Sequence, residues 1–160
     1  MVKKWLILVL LILTGCGEVA EPPELPVLPL LQGTWRSCSE TTSSTSMLIM
    51  ITFNNNQLSE SISQWDQLNC TGNETPYIQF NALVVAETLE GKSKYLSGAT
   101  DLSFSPDIDL FSCGVGVAAY TIIKFTSKSY TSFNPGATQP NCTSSGRDTS
   151  VNTDLTFVKQ

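Results

Sequence analysis

From Gly33 onward, apolar and polar residues alternate in short runs, and no window holds the 3.6-residue apolar period of an amphipathic helix. A period of two puts successive side chains on opposite faces, so each run predicts a strand with one face toward a core. The clearest are residues 47–53, closed by Asn54-Asn55-Asn56, then 58–65 and 77–87. In the last of these Ile78, Phe80, Ala82 and Val84 alternate against Tyr77, Gln79 and Asn81. A Glu90-Gly91-Lys92-Ser93 turn leads into 94–104, where Leu102 and Phe104 alternate against Asp101 and Ser103. Residues 107–113 after Pro106, then 118–125, 129–133 and 154–159, complete the series. With a first strand opening at Gly33, the total is about eight or nine short strands.

Many short antiparallel strands must hide their edges, and the solutions are a closed barrel or a two-sheet sandwich. The barrel is the preferred reading. Gly33-Thr34-Trp35 at the opening of the first strand resembles the Gly-x-Trp signature of lipocalins and the wider lipocalin-like group. The spacing of Cys38 and Cys70 is also similar to that in small exported lipocalin-like domains. The resemblance implies an all-β fold over residues 33–160, a small antiparallel up-and-down barrel of about eight strands. It also implies that Trp35 closes the barrel floor beneath an arginine near the last strand. Arg147 is the arginine late in the chain, and it precedes that strand by several residues. Met47, Ile49, Tyr77, Phe80 and Tyr120 are candidates to fill the interior.

Upstream of the alternating region the pattern changes. Lys3-Lys4 is followed by an unbroken apolar run over residues 5–13, shorter than the about 20 residues of a spanning helix and suited to an export signal. Leu13-Thr14-Gly15-Cys16 then resembles the lipobox of bacterial lipoproteins, which implies a signal peptide over 1–15 and a cysteine acylated at Cys16. More than one acyl chain makes anchoring effectively permanent, at about 0.8 kcal/mol per buried methylene. Gly17 after that cysteine implies the outer membrane by the enteric sorting rule. Residues 16–32 carry Pro22, Pro23, Pro26 and Pro29, which disfavour helix and predict an extended tether of up to about 50 Å. Docking of its last apolar residues on the domain is the alternative.

With Cys16 set aside, four of the five cysteines remain, and three pairings are open to them. Laid over itself with Ile51 on Ile123, the chain also matches Phe53 to Phe125, Gln67 to Gln139, Asn69 to Asn141, Cys70 to Cys142 and Thr71 to Thr143. Duplication of a half-barrel is one reading of this similarity and chance is the other. Equivalent halves would select Cys38–Cys70 and Cys113–Cys142, each closing a loop of about 30 residues and stabilising by about 3 to 4 kcal/mol. Such bridges suit an oxidising compartment.

Charge and composition narrow the function. A net charge of −5 argues against binding nucleic acid, which requires a basic surface. The sequence contains no histidine, which removes the usual general base, the commonest metal ligand and most activated-nucleophile designs. Asp101, Asp107 and Asp109 form the densest acidic group, with Asp107 and Asp109 on one face of a strand. They lack the loop glycine and oxygen count of a calcium site, so a solvated face is expected rather than a metal. No cofactor is expected. The expectation is therefore a non-enzymatic binding module of the cell envelope, tied to the membrane through Cys16 and taking a small apolar ligand. The alternative is a protein-facing role, as a hydrolase inhibitor or an accessory subunit of an envelope complex, through the loops near Cys70 and Cys142.

Overall fold

The computed structural model describes residues 26–160, so the export signal, Cys16 and most of the tether lie outside the described residues. The strands are β1 (Gly33–Glu40), β2 (Ser46–Asn54), β3 (Gln57–Trp65), β4 (Glu74–Ala86), β5 (Thr100–Pro106), β6 (Ala119–Phe125), β7 (Ser132–Pro135) and β8 (Phe157–Lys159). Each pairs antiparallel with the next, and β8 returns to β1 through Trp35↔Lys159 and Arg36↔Val158. The sheet is thus a closed up-and-down barrel, and closure leaves no edge strand to template aggregation. Period-two alternation sends Trp35, Ile51, Phe53, Leu58, Phe80, Val84, Leu102, Ile123, Phe133 and Phe157 into one buried core.

Both predicted disulfides form, Cys38–Cys70 and Cys113–Cys142. Each ties the first strand of a four-strand half, or the turn just after it, to the connection between that half's third and fourth strands. Ile51 and Phe53 on β2 correspond in the same way to Ile123 and Phe125 on β6. Both bridges brace the end of the barrel at which β1 finishes.

The opposite end is closed by a segment expected to be extended. Residues Val27–Leu31 form a short helix, α1, with Val27 and Leu31 fully buried. Pro29 is tolerated because it lies in the first turn, where no intrahelical N–H bond is lost. The orphan carbonyls of such a short helix need partners, and three side chains supply them. Gln32 Nε2 donates to Leu28 O (2.8 Å), Lys159 Nζ to Leu30 O (3.3 Å) and Trp35 Nε1 to Leu31 O (2.6 Å). Gln32 also grips the β2–β3 turn, accepting from Asn55 N and donating to Asn55 O. Asn55 holds φ at 56°, a left-handed conformation that asparagine tolerates better than most residues.

Trp35 is the centre of this floor. Its ring lies 4.9 Å from that of Phe133 and 6.3 Å from that of Phe125, and Lys159 Nζ sits 5.2 Å from its centroid. The cation over the tryptophan is therefore Lys159 and not Arg147, because β8 ends at the floor whereas Arg147 sits on the long β7–β8 connection. Arg147 clamps the outer wall instead. It pairs with Glu87 and lies over the rings of Tyr120 (4.7 Å) and Tyr95 (5.5 Å).

That connection also explains why neighbouring Ile122 and Ile123 are both buried. Ile123 faces the interior, while Ile122 is covered from outside where Asn141 bridges to Tyr120 and Gly136 N donates to Ile122 O. Tyr120 is consequently an outer-wall residue and Tyr77 is largely exposed, so neither fills the interior as expected; Ile49 and Phe80 do.

Residues 107–113 are not a strand. Asp107 takes both the backbone N and Nδ2 of Asn81 on its carboxylate, and Leu110 N turns back to Ile108 O. After one last backbone bond, from Asp107 N to Asn81 O, side-chain bonds take over from the ladder, and Ile108 and Leu110 pack on the core as loop residues. Residues 94–99 likewise form turns, with strand β5 beginning at Thr100.

Candidate functional site

Inside the barrel, above the floor set by Trp35, lies a cavity of about 160 Å³. Its walls come from β2 to β8 and are apolar almost throughout, including Ile51, Val84, Leu102, Ile123, Phe133 and Phe157. Phe104, Thr121, Pro135 and Leu155 also line it and are only partly buried, which places solvent access on the side away from the floor.

Two polar side chains reach this space. Thr121 is satisfied locally, its hydroxyl donating to Ile122 O at 3.3 Å. Glu60 is different. It shares the inner face of β3 with Leu58 and Ile62, and its cross-strand neighbours are Ile51 on β2 and Phe80 on β4. Among the described residues no cation or hydrogen-bond donor meets its carboxyl. Glu60 is half-buried, and desolvation by the apolar wall pushes its pKa up to about 7, since the wall disfavours the charged form and no described neighbour restores it. A carboxyl in this state is a proton acceptor poised near neutrality and a counter-charge awaiting a partner.

Sequence reasoning did not single out Glu60, although its signal is present. Leu58-Ser59-Glu60-Ser61-Ile62 alternates with the acid in phase with the apolar residues, so a strand burying Leu58 and Ile62 must aim Glu60 inward as well.

The residues singled out from sequence fall elsewhere. Gly33 opens β1 at φ 106°, a conformation that glycine adopts freely, with Lys159 Cε 3.4 Å from where a Cβ would stand. Trp35 is floor. Cys38, Cys70, Cys113 and Cys142 are braces, and Ser46 holds the first of them by donating to Gln67 O and accepting from Cys70 N.

The acids Asp101, Asp107 and Asp109 do not converge. Asp101 accepts from Ser93 Oγ, Asp107 from Asn81, and Asp109 from Gly114 N, so each fastens a different stretch of chain. The backbone and side-chain bonds from Asn81 hold the Asp107 carboxyl below its ordinary range, and those from Asn73 do the same for Asp66. Among the described residues no cluster of three or more potential ligands could hold a metal ion.

The site is therefore a small apolar chamber carrying one unpaired acid. No family model, curated protein or solved structure matches the chain.

Proposed function

We propose that this chain is a lipid-anchored protein of the bacterial cell envelope, lipocalin-like, that takes a small and largely apolar molecule into its barrel without transforming it. The observation that carries the binding reading is the apolar cavity of about 160 Å³. An engineered cavity of about 150 Å³ with similar lining admits benzene, which sets the scale of the guest at about six to ten heavy atoms. Lack of histidine and the commitment of four cysteines to bridges support binding over catalysis. The anchor and the outer-membrane placement rest on the Leu13-Thr14-Gly15-Cys16 motif and Gly17.

Native mass spectrometry of the protein recovered from its own cells, with organic extraction beside a control, tests the binding reading. A retained small molecule that survives chelation is the expected result. An empty barrel with a co-purifying protein would favour the protein-facing role instead, for which the outer groove beside Leu83 and Val115, both well exposed, offers an apolar surface. The anchor has its own test: Cys16→Ser should abolish fatty-acid labelling and shift the protein out of the detergent phase, and persistent labelling would refute it.

A further inference from the structure

A barrel that binds only neutral apolar molecules gains nothing from an acid in its wall, and Glu60, half-buried with no partner among the described residues, has lost enough water to make its charged form costly. Glu60 is held there nonetheless, at the centre of the long β2–β3–β4 wall, in one register row with Trp35, Ile51 and Phe80. From the facing elements come Ile51, Phe80, Val84, Leu102, Ile123 and Phe157, none of which is charged or titratable. Two cations that pack on the barrel are engaged elsewhere: Lys159 at the floor on Leu30 O, and Arg147 on the outer wall with Glu87. Among the described residues, then, the chamber has an apolar volume, a single negative pole and no internal counter-charge.

Resting on the binding reading above, we infer that the guest is a small monobasic amine with an apolar body, whose ammonium group pairs with the Glu60 carboxylate while its hydrocarbon part fills the cavity. A cation supplies what the chamber lacks. A charge-assisted bond in a low-dielectric wall is about twice as strong as a neutral one, so an alcohol or carbonyl would recover less of the cost of burying Glu60. A carboxylate guest would meet a like charge.

Binding is therefore linked to pH. Glu60 must ionise to pair, and burial sets its pKa at about 7 in the empty barrel. Below that value each unit of pH lowers the ionised fraction about tenfold, so affinity for the amine should fall by about 100-fold between pH 8 and pH 5, with protons released on binding at the acid end. Among the described residues no other titratable group lines the cavity to offset this.

The test is calorimetry on the full chain in lipid nanodiscs with four probes of matched body: benzylamine, benzyl alcohol, toluene and benzoate. Benzylamine should bind tightest at pH 8, weaken by about 100-fold at pH 5, and lose about 100-fold or more at pH 8 in Glu60→Gln. Toluene should bind wild type and Glu60→Gln without such a pH dependence, and it reports that the variant's cavity is intact. If benzylamine binds no better than toluene or benzyl alcohol, if benzoate outcompetes it, or if Glu60→Gln leaves it unchanged, the amine inference is overturned while the small-ligand reading stands. If none of the four binds at either pH, the small-ligand reading falls and the inference with it.

Discussion

Trp35→Ala is expected to destabilise the barrel by about 4 kcal/mol, a large share of the 5–15 kcal/mol typical of a folded domain. The side chain is completely buried and meets Phe125 and Phe133 with its rings, so its removal leaves a cavity that short strands cannot collapse around. The indole N–H is lost as well, leaving Leu31 O without its donor and loosening the helical turn that closes this end. Trp35→Phe separates the two effects, retaining most of the packing and losing the hydrogen bond, for a cost of about 1 to 2 kcal/mol. Urea unfolding of both variants measures this, and a loss below about 1 kcal/mol for Trp35→Ala would show that the floor does not depend on it.

Glu60→Gln is expected to act in the opposite direction, stabilising the protein at pH 8 by about 3 kcal/mol and raising its thermal midpoint by about 10 °C. The cause is the rise of the Glu60 pKa from 4.5 to about 7 on folding. Between those values the unfolded chain has released the proton that the folded chain still holds, so wild-type stability falls as pH rises through this window and is lowest above it. The glutamine variant lacks that fall. At pH 5 the two proteins should melt within a degree or two of each other, and only above pH 7 should they diverge fully. Thermal scans from pH 5 to pH 8 decide the matter, and parallel curves would mean that Glu60 is solvated rather than buried. Stability surrendered at a residue with no internal partner is the usual mark of a functional position.

Much of the architecture was legible because a strand's period is short enough to read from a single sequence. Leu102 and Phe104 against Asp101 and Ser103, or Phe80 and Ala82 against Gln79 and Asn81, declare their inner face at once, and the structure places them accordingly. The disulfide pairing was legible through the repeated Gln-x-Asn-Cys-Thr, since equivalent halves left one consistent choice.

What could not be read depended on long-range partners. Residues 107–113 alternate well enough for a strand, but the Asp107 carboxylate claims Asn81 and turns the chain away. Residues 27–31 carry a proline and read as tether, with docking on the domain as the alternative; the structure takes the alternative, because three carbonyl partners arrive from Gln32 at the helix end, Trp35 on β1 and Lys159 on β8. The cation over Trp35 was expected to be an arginine and is Lys159, a substitution that leaves Arg147 free to clamp Tyr95 and Tyr120 outside. Glu60 was the most readable of the misses, since its phase in β3 points it inward. Composition hides such a residue, because one acid among many on an acidic surface draws no notice until the strand that carries it is placed.

On the proposed reading, the apolar chamber holds one acid that stays without a partner until a guest supplies it. Carbon-13 NMR titration of the Glu60 side-chain carboxyl tests that claim most directly. The midpoint should lie near 7 in the ligand-free protein, and benzylamine at saturating concentration should draw it down toward the ordinary carboxylate range, as an added positive charge requires. A midpoint near 4.5 in the ligand-free protein, unmoved by the amine, would contradict it.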